Sequence, residues 1–135
     1  MGHETFADIA HQCIALWNAG KHPEAYRRFY AEDAVKVEPT SLGEFGNELR
    51  GRDNLIRHEE MIQGDIATVN AVYVAEGPFI GASGFSVVIK SDFTMNDSGI
   101  RFIFREVGIF TVEDDKIIRE EYLYDEAELA QALNQ

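Results

Sequence analysis

Cys13 is the only cysteine in 135 residues, so no disulfide can form within the chain, and a reducing cytoplasm fits that usage. Basic residues are scarce as well: 12 Lys and Arg stand against 24 Asp and Glu, a net charge of −12. That balance repels nucleic-acid phosphates and anionic membrane surfaces, so neither is expected as a partner. No apolar run approaches the length that spans a bilayer, and the opening Met1-Gly2-His3-Glu4-Thr5 lacks the basic start and apolar stretch of a signal peptide. Internal repeats, low-complexity segments and linkers are missing too, which leaves one domain over residues 1–135. His3, His11, His22 and His58 show no metal-ligand spacing, and there is neither a phosphate-binding glycine loop nor a Ser-His-Asp order. No metal and no cofactor is therefore expected.

What is present is a change of period along the chain. Phe6, Ile9, Ala10, Cys13, Leu16 and Trp17 recur at helical steps between a Thr5/Asp8 capping box and the stop at Gly20. Pro23 opens a second, short helix with Ala25, Tyr26, Phe29 and Tyr30 on its apolar side. A brief strand over Ala34–Glu38 ends at Pro39, a polar loop covers Thr40–Gly51, and a third helix runs from about Asp53 to Gln63 with Gly64 as its stop. From Ile66 the pattern turns to strands: Ile66–Glu76, Phe79–Thr94, Ile100–Val112 and Lys116–Tyr124, separated by Glu76-Gly77-Pro78, Asn96-Asp97-Ser98-Gly99 and Glu113-Asp114-Asp115. Within this pattern Gly81-Ala82-Ser83-Gly84 reads as a bulge or bend. Asp125 and Glu128 cap a last short helix carrying Leu129 and Leu133. Helices first and strands afterwards make an α+β order, in which long twisted strands offer a concave face for the helices to cover.

Tyr30-Ala31-Glu32-Asp33-Ala34-Val35, then Val37-Glu38-Pro39, then Gly51-Arg52 opening a helix with Ile56 behind it, resemble the nuclear transport factor 2-like superfamily. The closing Asp115-Lys116-Ile117-Ile118-Arg119 through Tyr122-Leu123-Tyr124-Asp125 is similar to its last strand. The best fit within it is the SnoaL-like polyketide cyclase and ketosteroid isomerase branch, over Phe6 to Asp125. The resemblance implies a cone: a curved antiparallel sheet wrapped around three N-terminal helices, with a pocket for a small apolar molecule. Members of that superfamily include isomerases, cyclases, dehydratases, epoxide hydrolases and pure binding domains, so the fold alone leaves the activity open.

Carboxylates stand where the polarity pattern does not call for them. Glu38 is held extended by Pro39, which fixes the direction of its side chain, and the resemblance puts it at the isomerases' catalytic base; a solvated strand end is the alternative. Glu106 shares a strand face with Phe102, Phe104 and Phe110, where desolvation raises a carboxyl's pKa. The resemblance gives Glu106 the part of a protonated acid facing an oxyanion; the alternative is neutralisation by Arg101 or Arg105. Glu59 falls on the apolar side of the third helix, facing the cavity or reaching its rim, and His58 beside it is either an inward group or a structural one. Glu120, Tyr122 and Tyr124 alternate on the last strand and share the pocket face if Tyr124 points inward. By resemblance Tyr30 is a supporting pocket tyrosine, Trp17 joins the pocket from the first helix, and Cys13 takes the slot where the isomerases place an oxyanion-binding tyrosine. The acid–arginine–acid set of the epoxide hydrolases and the histidine pair of the dehydratases have no clear counterpart.

Two functions follow. One is an isomerase- or cyclase-type enzyme with Glu38 as base and Glu106 as acid, needing no cofactor because carboxylates suffice for proton transfer. The other is a binding or association domain without turnover. Ile103, Val107 and Ile109, on the face opposite Glu106, predict a homodimer through the convex side of the sheet.

Overall fold

The computed structural model describes residues 4–39 and 47–133. Helix α1, Phe6–Asn18, starts at the expected capping box: the Thr5 hydroxyl accepts from the Asp8 N–H at 3.1 Å, and the Asp8 carboxylate accepts from the Thr5 N–H at 3.2 Å. Helix α2, His22–Phe29, carries Pro23 in its first turn, and α3 spans Arg52–Met61. Gly64 does not stop the third helix. The helix widens instead into a π-helical turn, Ile62–Ile66. A last helix, α4, covers Glu126–Leu133. Among the described residues no helix is long and apolar enough to cross a membrane.

Six strands form one sheet: β1 Tyr30–Val37, β2 Glu48–Arg50, β3 Ala67–Ile80, β4 Gly84–Met95, β5 Arg101–Glu113 and β6 Lys116–Leu123, in the order β2-β1-β6-β5-β4-β3. The sheet is mixed rather than wholly antiparallel as expected. β6, three reversals after β3, runs in the direction of β1 and pairs with it in parallel (Val35 with Arg119, Lys36 with Glu120). Most of the Thr40–Gly51 loop lies outside the described residues, but its end forms β2, antiparallel to β1.

The hairpin between β3 and β4 is also displaced from its expected place. Glu76-Gly77-Pro78 lies within β3, where a cis Gly77–Pro78 bond and a register shift form a bulge, and pairing continues through Phe79–Ser86 and Ile80–Phe85. β3 is an edge strand, so the N–H that proline lacks costs no ladder bond. The reversal comes at Gly81–Ser83, closed by the Gly81 N–H donating to the Gly84 carbonyl at 2.9 Å. At Gly84 a β-carbon would collide with the Phe110 carbonyl of β5, so only glycine lets the two backbones approach there.

α1 lies against β3 and β4. Its buried stripe of Ile9, Ala10, Cys13 and Trp17 packs into a core with Phe85, Val87, Phe110 and Ile117. Ring centroids of Trp17 and Phe110, and of Phe85 and Phe110, stand 4.9 Å apart. This aromatic layer fills one part of the sheet's inner face. The other part, bearing Phe102, Phe104 and Glu106 on β5, remains open as a cavity.

Candidate active site

The cavity has a volume of about 310 Å³. Its apolar wall comes from Val72 and Val74 of β3, Ile89 and Phe93 of β4, and Phe102 and Phe104 of β5. Ile62 and Ile66 of the π-helical turn, Leu129 and Leu133 of α4, and Trp17 of α1 complete it. Side chains alternate along β5, so Phe102, Phe104 and Glu106 face inward together while Ile103 and Arg105 face out.

Polar groups gather on the same lining. β1 supplies Lys36 and, just after its end, Glu38; β5 supplies Glu106, β6 Tyr122, α2 His22 and Tyr26, and α3 His58 and Glu59. Glu38 stands just beyond the last residue of β1, its N–H donating to the Asn47 carbonyl at 2.9 Å. Its carboxylate lies 3.6 Å from the Lys36 ammonium, and both side chains are largely shielded, at 12% and 6% exposure. Lys36 also lies over the Tyr122 ring, 5.4 Å from its centroid. Burial alone would lower the lysine's pKa, yet the charges of Glu59, Glu120, Glu38 and Glu106 outweigh it and hold the ammonium above its ordinary value.

Burial pushes the Glu106 carboxyl from its ordinary 4.5 up to about 8, the charge of Glu38 adds to the rise, and Lys36 opposes it. Neither neighbouring arginine neutralises it. Arg101 donates to Asp92 at 2.6 and 2.9 Å, and Arg105 donates to Glu76 at 2.8 Å, both among exposed groups. Glu106 is thus a carboxyl shifted toward its neutral form, in the cavity that also receives Glu38. Glu59 accepts a hydrogen bond from Gln63 at 2.7 Å. Burial lowers the pKa of His22 and of His58, Lys36 acting in the same direction and Glu59 against it. Each has an Nδ1 that is buried without a hydrogen-bond partner.

Nine of the residues singled out from the sequence line this cavity: Trp17, Glu38, His58, Glu59, Phe102, Phe104, Glu106, Tyr122 and Tyr124. Three do not. Cys13 is fully buried in the core one helical turn before Trp17, and its thiol is raised to about 12 by burial and then by Glu120. Glu120 and Tyr30 are buried behind the lining, in a hydrogen-bonded cluster. The Glu120 carboxyl accepts from Tyr26 at 2.7 Å, from Tyr122 at 3.0 Å and from Tyr30. Burial raises the Glu120 pKa against the opposing effects of Lys36 and the three hydroxyls. Burial first and Glu120 second raise the phenols well above their ordinary 10, so they remain donors. The cluster joins α2, β1 and β6 and braces two lining tyrosines.

Lys36, Tyr26 and His22 are among the lining groups that the sequence did not single out, as are Gln63, Tyr73 and Ser91. A signal for Lys36 existed: Ala34, Lys36 and Glu38 share one parity on β1, so an inward Glu38 carries Lys36 inward with it. A strand lysine by itself carries no sign of burial, since lysine is mostly exposed.

Known structures share this architecture. A candidate SnoaL-like polyketide cyclase from Mesorhizobium loti is 27% identical and superposes with a TM-score of 0.82, over 90% of this chain and 100% of that one. A nuclear transport factor 2-like protein from Burkholderia thailandensis (19% identity, TM-score 0.80, 96% and 98% covered) has the same fold. So does a ketosteroid isomerase-like protein from Catenulispora acidiphila, in complex with trimethylamine (17%, 0.72, 95% and 94%). No curated protein matches in sequence. The SnoaL-like domain model matches residues 4–124, nearly the whole described chain from α1 through β6, and the chain belongs to the SnoaL-like domain family.

Proposed function

We propose that this protein carries out cofactor-free proton transfer, of isomerase or cyclase type, on a small apolar carbonyl compound. The observation that carries the reading is Glu106, a carboxyl pushed up to about 8 by burial, on the same cavity wall system as the Glu38 carboxylate. Glu38 takes the part of proton acceptor and Glu106 that of hydrogen-bond donor, the division of labour that general acid–base chemistry needs. In this scheme Glu38 removes a proton from the carbon beside the carbonyl. The C–H electron pair becomes the new C=C bond, and the carbonyl π pair moves onto oxygen, which accepts a hydrogen bond from Glu106. Glu38 then returns the proton to carbon. Apolar walls exclude water and accept a hydrophobic skeleton. The likeness to the Mesorhizobium loti candidate cyclase supports the same class of chemistry.

The test is exchange of deuterium from solvent into the α-carbon of a panel of apolar cyclic ketones. Glu38→Gln should slow exchange by roughly 10²–10⁴-fold without loss of binding. Glu106→Gln keeps a donor and should lose much less. The second reading, a binding domain without turnover, is favoured by α1, which presents Trp17 and no hydroxyl donor to the cavity. Ketones that bind but exchange no faster with the wild type than with Glu38→Gln would establish that reading.

We also propose that a second copy of this chain covers the outer face of the sheet. Ile103 and Ile109 are 52% and 37% exposed, and Val107 between them pairs with Val88 and Leu123 of the adjoining strands. Charges bordering this stripe include the pairs Arg105–Glu76, Arg101–Asp92 and Arg119–Glu121, so two acidic chains can meet there with little repulsion.

A further inference from the structure

We infer that Lys36 is a third catalytic group, the fixed cation that takes over the negative charge of an enolate as Glu38 takes up the substrate's proton. The inference rests on the two-carboxyl reading above and adds the group which that reading leaves without a task. A lysine ammonium taken this far out of water is costly unless it is paired. On β1 the Lys36 Nζ stands 3.6 Å from Glu38 and over the Tyr122 ring, and the charges of Glu59 and Glu120 act on it from α3 and β6.

In the resting cavity Lys36 and Glu38 neutralise each other. When the α-proton passes to Glu38, that carboxyl becomes neutral and one negative charge appears on the carbonyl oxygen. The total charge of the cavity is unchanged, but Lys36 has lost the carboxylate it pairs with at 3.6 Å, and the charges of Glu59 and Glu120 remain to act on it. Its three N–H donors then have a new anion to serve. The attraction is therefore weak toward the neutral ketone and strong toward the enolate, the difference that lowers a barrier. When Glu38 gives the proton back to carbon, the negative charge returns to its carboxylate and the Lys36–Glu38 pair re-forms. Glu106 supplies one hydrogen bond to the enolate oxygen. Lys36 of β1 is the second donor, and α1 presents no hydroxyl to the cavity.

Binding of 4-nitrophenol tests this without a known substrate, since its phenolate presents the same charged oxygen and its ionisation is visible by absorbance. The background is Glu38→Gln, whose neutral side chain imitates Glu38 after proton uptake. That variant should bind the phenolate more tightly than the neutral isostere 4-nitrotoluene. Adding Lys36→Met should weaken phenolate binding by roughly tenfold or more and leave 4-nitrotoluene unaffected. Adding Lys36→Arg instead should restore most of the phenolate affinity. The Lys36→Met/Glu38→Gln pair removes one charge of each sign, which keeps the buried charge balanced, and circular dichroism verifies its fold. Phenolate affinity that is indifferent to Lys36, in a protein whose wild type exchanges ketone protons, overturns the role of Lys36 alone. Lys36-dependent phenolate binding in a protein that exchanges no ketone overturns the catalytic role together with the two-carboxyl reading, leaving an anion subsite.

Discussion

Glu106 and Glu120 are both carboxyls raised by burial, but their neighbours differ. Glu120 is fully enclosed and accepts three tyrosine hydroxyls, which suits a brace, whereas Glu106 borders the cavity. The rise at Glu106 has a consequence for stability. Between its ordinary 4.5 and about 8, the folded chain holds a proton there that the unfolded chain releases. Its contribution to stability is therefore complete below pH 4.5 and is lost as pH rises through about 8, on the order of a few kcal/mol at most. Glu106→Gln removes this dependence and should flatten the fall. Urea unfolding midpoints at about pH 5 and about pH 9 measure it. An equal fall in wild type and variant would show that Glu106 is not held neutral. The sequence exposed Glu106 because a carboxyl among phenylalanines breaks the strand's pattern. It concealed Lys36 because the partners that make a buried lysine tolerable come from distant segments.

Strand β4 and its turns are set by contacts that no local pattern records. Two glycine-containing segments compete for the β3–β4 reversal, and both carry turn chemistry. Pro78 is accepted inside β3 because that strand lies at the sheet edge, and Gly84 is required at the start of β4 because the Phe110 backbone passes close to it. Gly84→Ala should therefore destabilise the fold by roughly 2 kcal/mol or more, since backbone rather than a movable side chain blocks the added methyl. Gly81→Ala meets only the Gly84 carbonyl at 4.0 Å and should change stability by less than about 1 kcal/mol. Thermal melts of the two variants measure the contrast. Similar melting temperatures would mean that the strands separate enough at Gly84 to admit a side chain.

At the scale of the whole molecule, a net charge of −12 disfavours self-association except where charges are already paired. The outer face of β4–β6 is such a place, and the proposed dimer makes a definite expectation there. Wild-type protein at micromolar concentration should sediment as a dimer. Val107→Lys with Ile109→Lys should shift it to monomer and leave the cavity's ligand binding intact. A wild-type monomer under those conditions would mean that the apolar stripe remains open to water.

Within the sequence itself, the helices were legible from capping and period, the late strands from their β-branched and aromatic runs, and the α+β class from the order of the two. Glu38 and Glu106 were visible because each departs from the pattern around it. These are local features, written in residues a few positions apart. The parallel joining of β1 to β6, the shift of the hairpin to Gly81–Ser83, and the retreat of Cys13, Tyr30 and Glu120 behind the cavity wall were decided only in three dimensions. So was the placing of Lys36 among Glu38, Glu59, Glu106 and Glu120. Which inward-facing side chain reaches a cavity, and which is sealed into the core or paired by a distant charge, depends on how far elements approach one another, and that distance is a property of packing.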